Sequence, residues 1–361
     1  MGDFFVDADI TKASTIKSDF YTSEKYWNES KEKIFSRTWQ FTGDTDELRI
    51  SGQLLPQTML PGFLDEPLLY VRDKSDTVHC LSNVCTHRGN LLVESACTAS
   101  EIRCRYHGRR FDMNGKFKHM PEFDGVDCFP SEKDDLPKIS FGEWDKFLFA
   151  SISPAVVLDD VLREMKKRVS FLQLNQFKPD LTRSRDYLVK AHWALYCENY
   201  LEGFHIPFIH SGLNAVIDYN SYRTELFRYS NLQVAESKGG EDVFDLPKDS
   251  PDYGKQISAY YFWVFPNMMF NFYPWGLSIN IIKPMNTQLT KVSFLTYVYD
   301  ETKLDRGAGA MLDKVEREDE AIVESVQKGI NSRFYTSGRY SPKRETGTHH
   351  FHRLIAEFMN G

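Results

Sequence analysis

No run in this chain approaches the roughly 20 apolar residues that a membrane-crossing helix needs, so a helical membrane protein is not expected. Cysteine is scarce, 6 in 361 residues, and does not read as a disulfide framework. Positive charge is in deficit: 44 Lys and Arg face 51 Asp and Glu, for a formal charge of −7. That balance argues against a nucleic-acid or anionic-membrane partner. The N-terminus MGDFFVDADITKAS lacks a basic-then-apolar signal pattern, and Val6 stands where a myristoylation motif requires Ser or Thr. A cytoplasmic protein is therefore expected. No internal repeat or low-complexity tract is visible. There is also no G-x-G-x-x-G fingerprint, so dinucleotide handling falls to another protein.

What is present fits an ordinary soluble globular composition, 41% apolar and 26% charged, with an aromatic surplus of 14%. The length allows two domains. Residues 22–37 read as an amphipathic helix with Ser23 as N-cap. From about 40 to 150, segments such as PLLYVRD, TVHCLSN and KFLFASI, split by Gly, Pro and Asp, predict strands of a small β domain. Beyond Pro154 come the helical VVLDDVLREMKKRVSFL and the long strands QISAYYFWVF, LSINIIKP and TKVSFLTYVYD. Helical blocks are expected near 192–206 and 309–330. The pattern predicts an α+β catalytic domain that begins near residue 155.

The chemistry concentrates in CTHRGNLLVESACTASEIRCRYHGRRF, residues 85–111. Cys85 and His87 form one short loop, Cys104 and His107 a second, with 16 residues between them. A structural zinc site can use four such ligands, but it usually pairs like with like. One Cys and one His per loop is what a Rieske [2Fe–2S] cluster needs, with two thiolates on one iron and two imidazoles on the other. Gly89 and Gly108 let the backbone approach such a cluster closely. The remaining cysteines, Cys80, Cys97, Cys128 and Cys197, read as buried thiols.

Farther on, ENYLEGFHIPFIH (198–210) offers His205 and His210. Non-haem Fe(II) that activates O2 takes two His and one carboxylate, leaving positions open. On a straight helix these imidazoles would point about 140° apart. Pro207 relieves this by breaking the helix between them. Over 311–330 an apolar stripe runs through Leu312, Val315, Ile322, Val323, Val326 and Ile330, and Asp319 interrupts it. A carboxylate there is either salt-bridged or metal-bound. Glu202, three residues before His205, is either an exposed helical Glu or the group that orients its imidazole.

With both sites in this order, the chain resembles the α subunit of Rieske non-haem iron oxygenases over essentially its whole length. The resemblance implies an α+β fold with a small all-β Rieske domain and a larger helix-grip-like catalytic domain built on a curved antiparallel sheet. It divides the chain into a helical segment at 1–40 that packs on the catalytic domain, a Rieske domain at 41–155 and a catalytic domain at 156–361. It implies that Cys85, His87, Cys104 and His107 hold the cluster, and that His205, His210 and Asp319 hold a mononuclear iron. The family pattern E-D followed by E-x-x-Q matches Glu318, Asp319, Glu324 and Gln327. Glu202 would bridge His107 of one copy to His205 of the next in a homotrimer, although most members carry Asp there. Another departure is YHGRRF, where many members have YHGW; Arg109 puts charge near the cluster or its docking surface. O2 is the implied co-substrate, with electrons drawn from NAD(P)H through a separate flavin and iron–sulfur reductase.

The stretches NYLEGFHIPFIHSGL (199–213) and VQKGINSRFYTSGRYSPKRETGTHHFHRL (326–354) resemble the quaternary-ammonium oxygenases, those acting on choline, betaines or carnitine. In YYFWVFPNMMFNFYPWG (260–276), Phe265, Tyr273 and Trp275 are candidate walls of a box for a trimethylammonium group, or else plain core. Two other readings stay open: a ring-hydroxylating dioxygenase acting on an aromatic substrate, and a Rieske electron carrier without catalysis.

Overall fold

The computed structural model describes residues 4–210, 219, 222–304 and 312–361, with the backbone alone at 312 and 313. The opening Met-Gly, residues 211–213 of the motif around His210 and the first residues of the 309–330 block lie outside the described residues, as does the Leu312 side chain. The chain divides into two compact units: Ser36–Ala155, and Met1–Phe35 together with Val156–Gly361.

The smaller unit is all β apart from short 3-10 turns. Strands Gln53–Met59, Glu66–Arg72 and Val78–Ser82 pair antiparallel, and Cys97–Thr98 extends the far edge. Ile102–Arg103, Arg110–Phe111 and Phe117–His119 make a second small sheet. Leu54, Leu69, Leu81, Ile102 and Phe111 close one core, and Cys85 and Cys104 are packed into it. Cys80 and Cys197 are buried as expected, but Cys97 and Cys128 are exposed. Cys97 sits in the two-residue edge strand, and Cys128 turns outward at φ 56°.

In the larger unit, seven antiparallel strands run in the spatial order Lys178–Val189, Leu289–Val298, Gly276–Asn286, Met268–Tyr273, Ile257–Val264, Ser230–Glu236, Arg223–Leu226. Six of these follow one another along the chain as a meander. Side chains alternate across the sheet, so residues two apart share a face. Gln233 lies opposite Tyr261, and Tyr261 opposite Asn271, which sets these three in a row on adjacent strands.

Three helices bear on the site. The helix Trp193–Tyr200 contacts both the sheet and the helix Leu312–Ile330. Its Glu198 accepts from the Tyr21 hydroxyl (2.8 Å) and pairs with the fully buried His352 of the C-terminal helix Thr346–Asn360 (3.1 Å). That helix approaches closely because Gly347 has no side chain; a Cβ there would collide with the Leu201 carbonyl oxygen. Near the N-terminus, Glu24–Lys33 is helical as predicted, but the Ser23 side chain makes no capping bond.

The buried face of Leu312–Ile330 follows the apolar stripe read from the sequence only in part: Val323 and Ile330 are buried on it. Val326 is 44% exposed, whereas Glu316 and Gln327 are buried. Their hydrogen bonds explain it: Tyr196 donates to both Glu316 oxygens (2.7 and 2.6 Å), and Gln327 accepts from the His192 N–H (2.8 Å). A buried polar group is tolerated once its partners are present.

At the other end of the sheet, Asp252 is 1% exposed and meets Arg168 (2.5 Å), Arg223 (2.6 Å) and the Tyr260 hydroxyl (2.9 Å). Burial alone would push its carboxyl up, but Tyr260, Arg168 and Arg223 hold it below the ordinary value. A depressed value means that the stabilisation is complete at neutral pH and fades as the pH falls through the lowered folded-state value. Asp252→Ala leaves Arg168 on Glu225 alone and takes the acceptor from the Tyr260 hydroxyl, and should cost about 1–3 kcal/mol in a urea titration. A loss within experimental error would show the network to be dispensable.

Candidate functional site

In the smaller unit, the two Cys–His loops are built the same way. The Cys85 N–H donates to the Asn90 carbonyl (2.9 Å), and the Gly89 N–H donates back to the Cys85 carbonyl (3.0 Å). Cys104 repeats this with Arg109 (2.8 Å) and Gly108 (3.1 Å). The shared fifth position, Gly89 or Gly108, has φ 71° or 73°, a left-handed turn conformation that favours glycine. This turn is a constraint the structure places on both glycines.

The loops bring His87 and His107 edge to face, with ring centroids 4.8 Å apart. The Nδ1 atoms of both rings are buried and have no hydrogen-bond partner. Buried nitrogens are rarely left so. Burial first, then the charges of His107 and Arg109, lower the His87 value, keeping its ring neutral. Two buried thiols and two imidazoles with orphaned nitrogens fit the donor set of a Rieske [2Fe–2S] cluster.

Arg109 is not part of a docking surface. It is 2% exposed, pairs with Asp134 (2.6 Å) and lies against the rings of Phe111, Phe117 and Phe129. Its side chain replaces an aromatic one in the core while leaving a positive charge beneath the Cys85 loop, where it opposes the rise that burial imposes on the thiol.

In the larger unit, the helix carrying Glu198 ends at Tyr200, and a separate single turn spans Ile206–Ile209. Pro207 therefore does not break a helix between the two His. It sits in the first turn, where its missing N–H costs nothing. His205 and His210 bracket that turn, with rings 5.0 Å apart and nearly perpendicular. Asp319 reaches them from the long helix: its Oδ1 is 3.0 Å from His210 Nε2 and 3.5 Å from His205 Nε2. Ligand atoms from these three residues all lie within 4.8 Å of one another. Asn199 Nδ2 donates to the same Asp319 oxygen (2.7 Å) and fixes the carboxylate.

Each imidazole uses its other nitrogen on a carboxylate: His205 Nδ1 on Glu202 (2.6 Å) and His210 Nδ1 on Glu318 (2.8 Å). That leaves both Nε2 atoms turned toward Asp319, the arrangement of a metal ligand oriented by an acidic neighbour. Although burial disfavours charge on His210, its bonds to Asp319 and Glu318 hold it above the ordinary value. Two His and one Asp suit a ferrous ion with open positions. Glu202 is neither exposed nor helical; it follows the helix, and its second oxygen accepts the backbone N–H groups of Phe204 and His205. Glu318, which the sequence reading placed only within the family pattern, proves to orient His210.

A cavity of about 130 Å3 opens beside these three side chains. Five tyrosines contribute to its wall: Tyr196, Tyr200, Tyr222, Tyr261 and Tyr273. Burial pushes all five phenols up, so they remain protonated. Tyr273 and Tyr261 meet edge to face at 5.9 Å, and Ile206 joins them to the His-bearing turn. Gly203 makes room for Tyr222, whose ring a Cβ would approach to 2.7 Å.

Of the aromatic residues read from the sequence, Tyr273 lines the cavity. Trp275 stands behind it, stacked at 5.0 Å, outside the lining. Phe265 is core: it packs on Phe351 and Phe358 of the C-terminal helix, away from the cavity. Tyr196, Tyr200, Tyr222 and Tyr261 were missed. Tyr196 and Tyr200 stand four apart on one helix, a spacing that could have marked a common face.

Residues 174–361 match the ring hydroxylating alpha subunit (catalytic domain) family, and residues 38–130 match the Rieske [2Fe-2S] domain. The chain is 29% identical to the chloroplastic choline monooxygenase of Arabidopsis thaliana, covering 96% of this chain and 83% of that protein. It is 27% identical to the carnitine monooxygenase oxygenase subunit of Escherichia coli K12, covering 97% and 95%. In fold it resembles the quaternary ammonium Rieske monooxygenase CntA in complex with L-carnitine, with a TM-score of 0.78 and 23% identity over 97% of both chains.

Proposed function

The chain belongs to the Rieske-type ring-hydroxylating α-subunit family, and on that footing we propose that it is the terminal oxygenase of a system that hydroxylates or N-demethylates a small quaternary-ammonium substrate. The observation that carries this reading is the tyrosine-walled cavity beside the convergent His205, His210 and Asp319. A trimethylammonium group has no N–H to donate. It is held by aromatic faces, at about 0.5–2 kcal/mol per contact. Tyr222, Tyr261 and Tyr273 supply such faces, and the naming of relatives as choline and carnitine monooxygenases favours the same substrate class.

We assign Cys85, His87, Cys104 and His107 to the [2Fe–2S] cluster, and His205, His210 and Asp319 to the mononuclear iron. The Rieske domain match supports the cluster over zinc. When bound, these centres deliver electrons and activate O2, one oxygen atom going to a substrate C–H and the other to water. The protein's own groups do the positioning. Asn199 fixes Asp319, Glu202 and Glu318 fix the imidazoles, and the tyrosine faces set a C–H bond beside the substrate heteroatom toward the ligands. Glu202 also serves, in a homotrimer, as the link from His205 to His107 of a neighbouring copy. Electrons come from NAD(P)H through a separate flavin and iron–sulfur reductase.

A substrate screen tests the reading. With a reductase and NADH, choline, carnitine or a betaine should stimulate O2 uptake and give an oxidised product, while benzoate and naphthalene should not. Turnover of the aromatic compounds alone would replace this reading with the ring-hydroxylating one. A purely electron-carrying role predicts no O2 uptake with any compound.

A further inference from the structure

Two asparagines interrupt the centre of the large sheet. Asn271 lies in strand Met268–Tyr273 and Asn280 in strand Gly276–Asn286. Asn is disfavoured in strands, and a buried amide is costly unless its groups are paired. Both are almost fully enclosed, at 4% and 5% exposed. Asn271 stands opposite Ser278, so Asn280, two residues on, shares its face, and both side chains line the cavity. Tyr261 lies opposite Asn271 on its other flank, and Tyr273 is two residues along the same strand. The two amides therefore adjoin the tyrosine faces.

Each amide is paired at one end. The Tyr200 hydroxyl donates to Asn271 Oδ1 (2.6 Å), and the Ser278 hydroxyl donates to Asn280 Oδ1 (3.0 Å). Those bonds turn both oxygens onto the protein. Among the described residues, neither Nδ2 group has a hydrogen-bond partner. Gln233, in the same row, differs: its Nε2 donates to the Tyr200 carbonyl (2.7 Å) and its Oε1 accepts from Tyr222 (3.2 Å), so both its ends are used by the fold. An amide N–H2 can only donate, and it requires an oxygen lone pair. A trimethylammonium head has none, whereas the hydroxyl or carboxylate on the tail of such a compound does. The donors are neutral, so this recognition does not depend on the net charge that the three ligands and a divalent ion leave at the metal site.

We propose that Asn271 and Asn280 form the subsite for the oxygen-bearing tail of the substrate, each donating from Nδ2 to its hydroxyl or carboxylate oxygen, and that they determine the preference for oxygenated over purely alkyl quaternary ammonium compounds. The inference rests on the quaternary-ammonium reading above and deepens it. It is tested by calorimetric binding to the metal-loaded enzyme with two pairs of compounds. Choline is set against n-propyltrimethylammonium, which has a methyl for the hydroxyl, and γ-butyrobetaine against n-butyltrimethylammonium, which has a methyl for the carboxylate. In at least one pair, wild type should bind the oxygenated member about tenfold more tightly, because the alkyl member leaves buried donors unpaired. The pair that shows the gap identifies the oxygen. Asn271→Ala and Asn280→Ala should each narrow the gap by about three- to fivefold, through weaker binding of the oxygenated member, with the alkyl member within about twofold of wild type and iron content unchanged.

Equal affinity within both pairs for wild type overturns the inference and leaves the broader reading standing. So does a gap that survives in both variants, the result if the metal ion itself took the oxygen. Equal weakening of the oxygenated and alkyl members would reduce the amides to scaffolding and overturns it as well. Should Asn271→Ala fail to fold, Asn280→Ala decides, since it deprives only the Ser278 hydroxyl of its acceptor. If no quaternary ammonium compound binds the wild type, both the inference and the reading beneath it fall.

Discussion

Asp319→Ala is expected to leave about two irons per chain where the wild type holds three, with the Rieske absorption and EPR signature intact and turnover abolished. Among the described residues, Asp319 Oδ1 is the one carboxylate atom near both imidazole Nε2 atoms, at 3.0 and 3.5 Å. Without it, two imidazoles remain, still oriented by Glu202 and Glu318 but with no anionic ligand to offset the charge of a divalent ion. Loss of a supporting partner around a metal typically costs about 10–100-fold, so loss of the ligand itself should cost more, at least about a thousandfold. The fold should survive. The helix keeps its Tyr196–Glu316 and His192–Gln327 bonds, and the stranded group is the Asn199 amide, a loss of about 1–3 kcal/mol. Metal analysis and O2 uptake check this together. Three irons, or wild-type turnover, would remove Asp319 from the site.

Glu202→Gln separates metal holding from everything else this carboxylate does. Glu202 binds His205 Nδ1 at 2.6 Å and also accepts the backbone N–H of His205 at 3.2 Å, thereby tying the ring to the turn that carries it. A Gln oxygen can still accept from Nδ1, so His205 keeps its orientation and both metal centres should load. What is lost is the negative charge that raises the basicity of the imidazole and, in the trimer proposed above, links it to His107 of a neighbouring copy. Turnover should fall by about 10–100-fold or more at near-normal iron content. Rapid-mixing spectroscopy should show a reduced cluster that reoxidises slowly in the presence of substrate and O2. An unimpaired reoxidation rate would exclude Glu202 from that path.

The legibility of these sites depends on how local their geometry is. Cys85, His87, Cys104 and His107 could be read directly, because each loop is one turn closed by its own backbone and a left-handed glycine. His205 and His210 were readable for the same reason, although the Pro207 argument placed the helix break at the wrong point. Asp319 could be found only as an anomaly in an apolar stripe, and that stripe is only part of the face the helix buries. Glu316 and Gln327 look like solvent-facing residues until Tyr196 and the His192 N–H appear as their partners. Arg109 misled in the same way: a charged residue next to a ligand loop reads as surface, yet Asp134 and three phenylalanine rings bury it.

The sequence by itself determined the donor sets: which thiols, imidazoles and carboxylates exist, at spacings that short turns can gather. Tertiary structure decided which side chains face the cavity. In strand Met268–Tyr273 every residue is buried, so hydrophobicity cannot distinguish the face with Asn271 and Tyr273 from the face with Phe270 and Phe272. Only pairing with the neighbouring strands, and the helix laid across one side of the sheet, assigns the cavity to Asn271 and Tyr273 and sends Phe265 into the core. A sheet buried on both faces carries no alternation to read, and its sidedness exists only once something has packed against it.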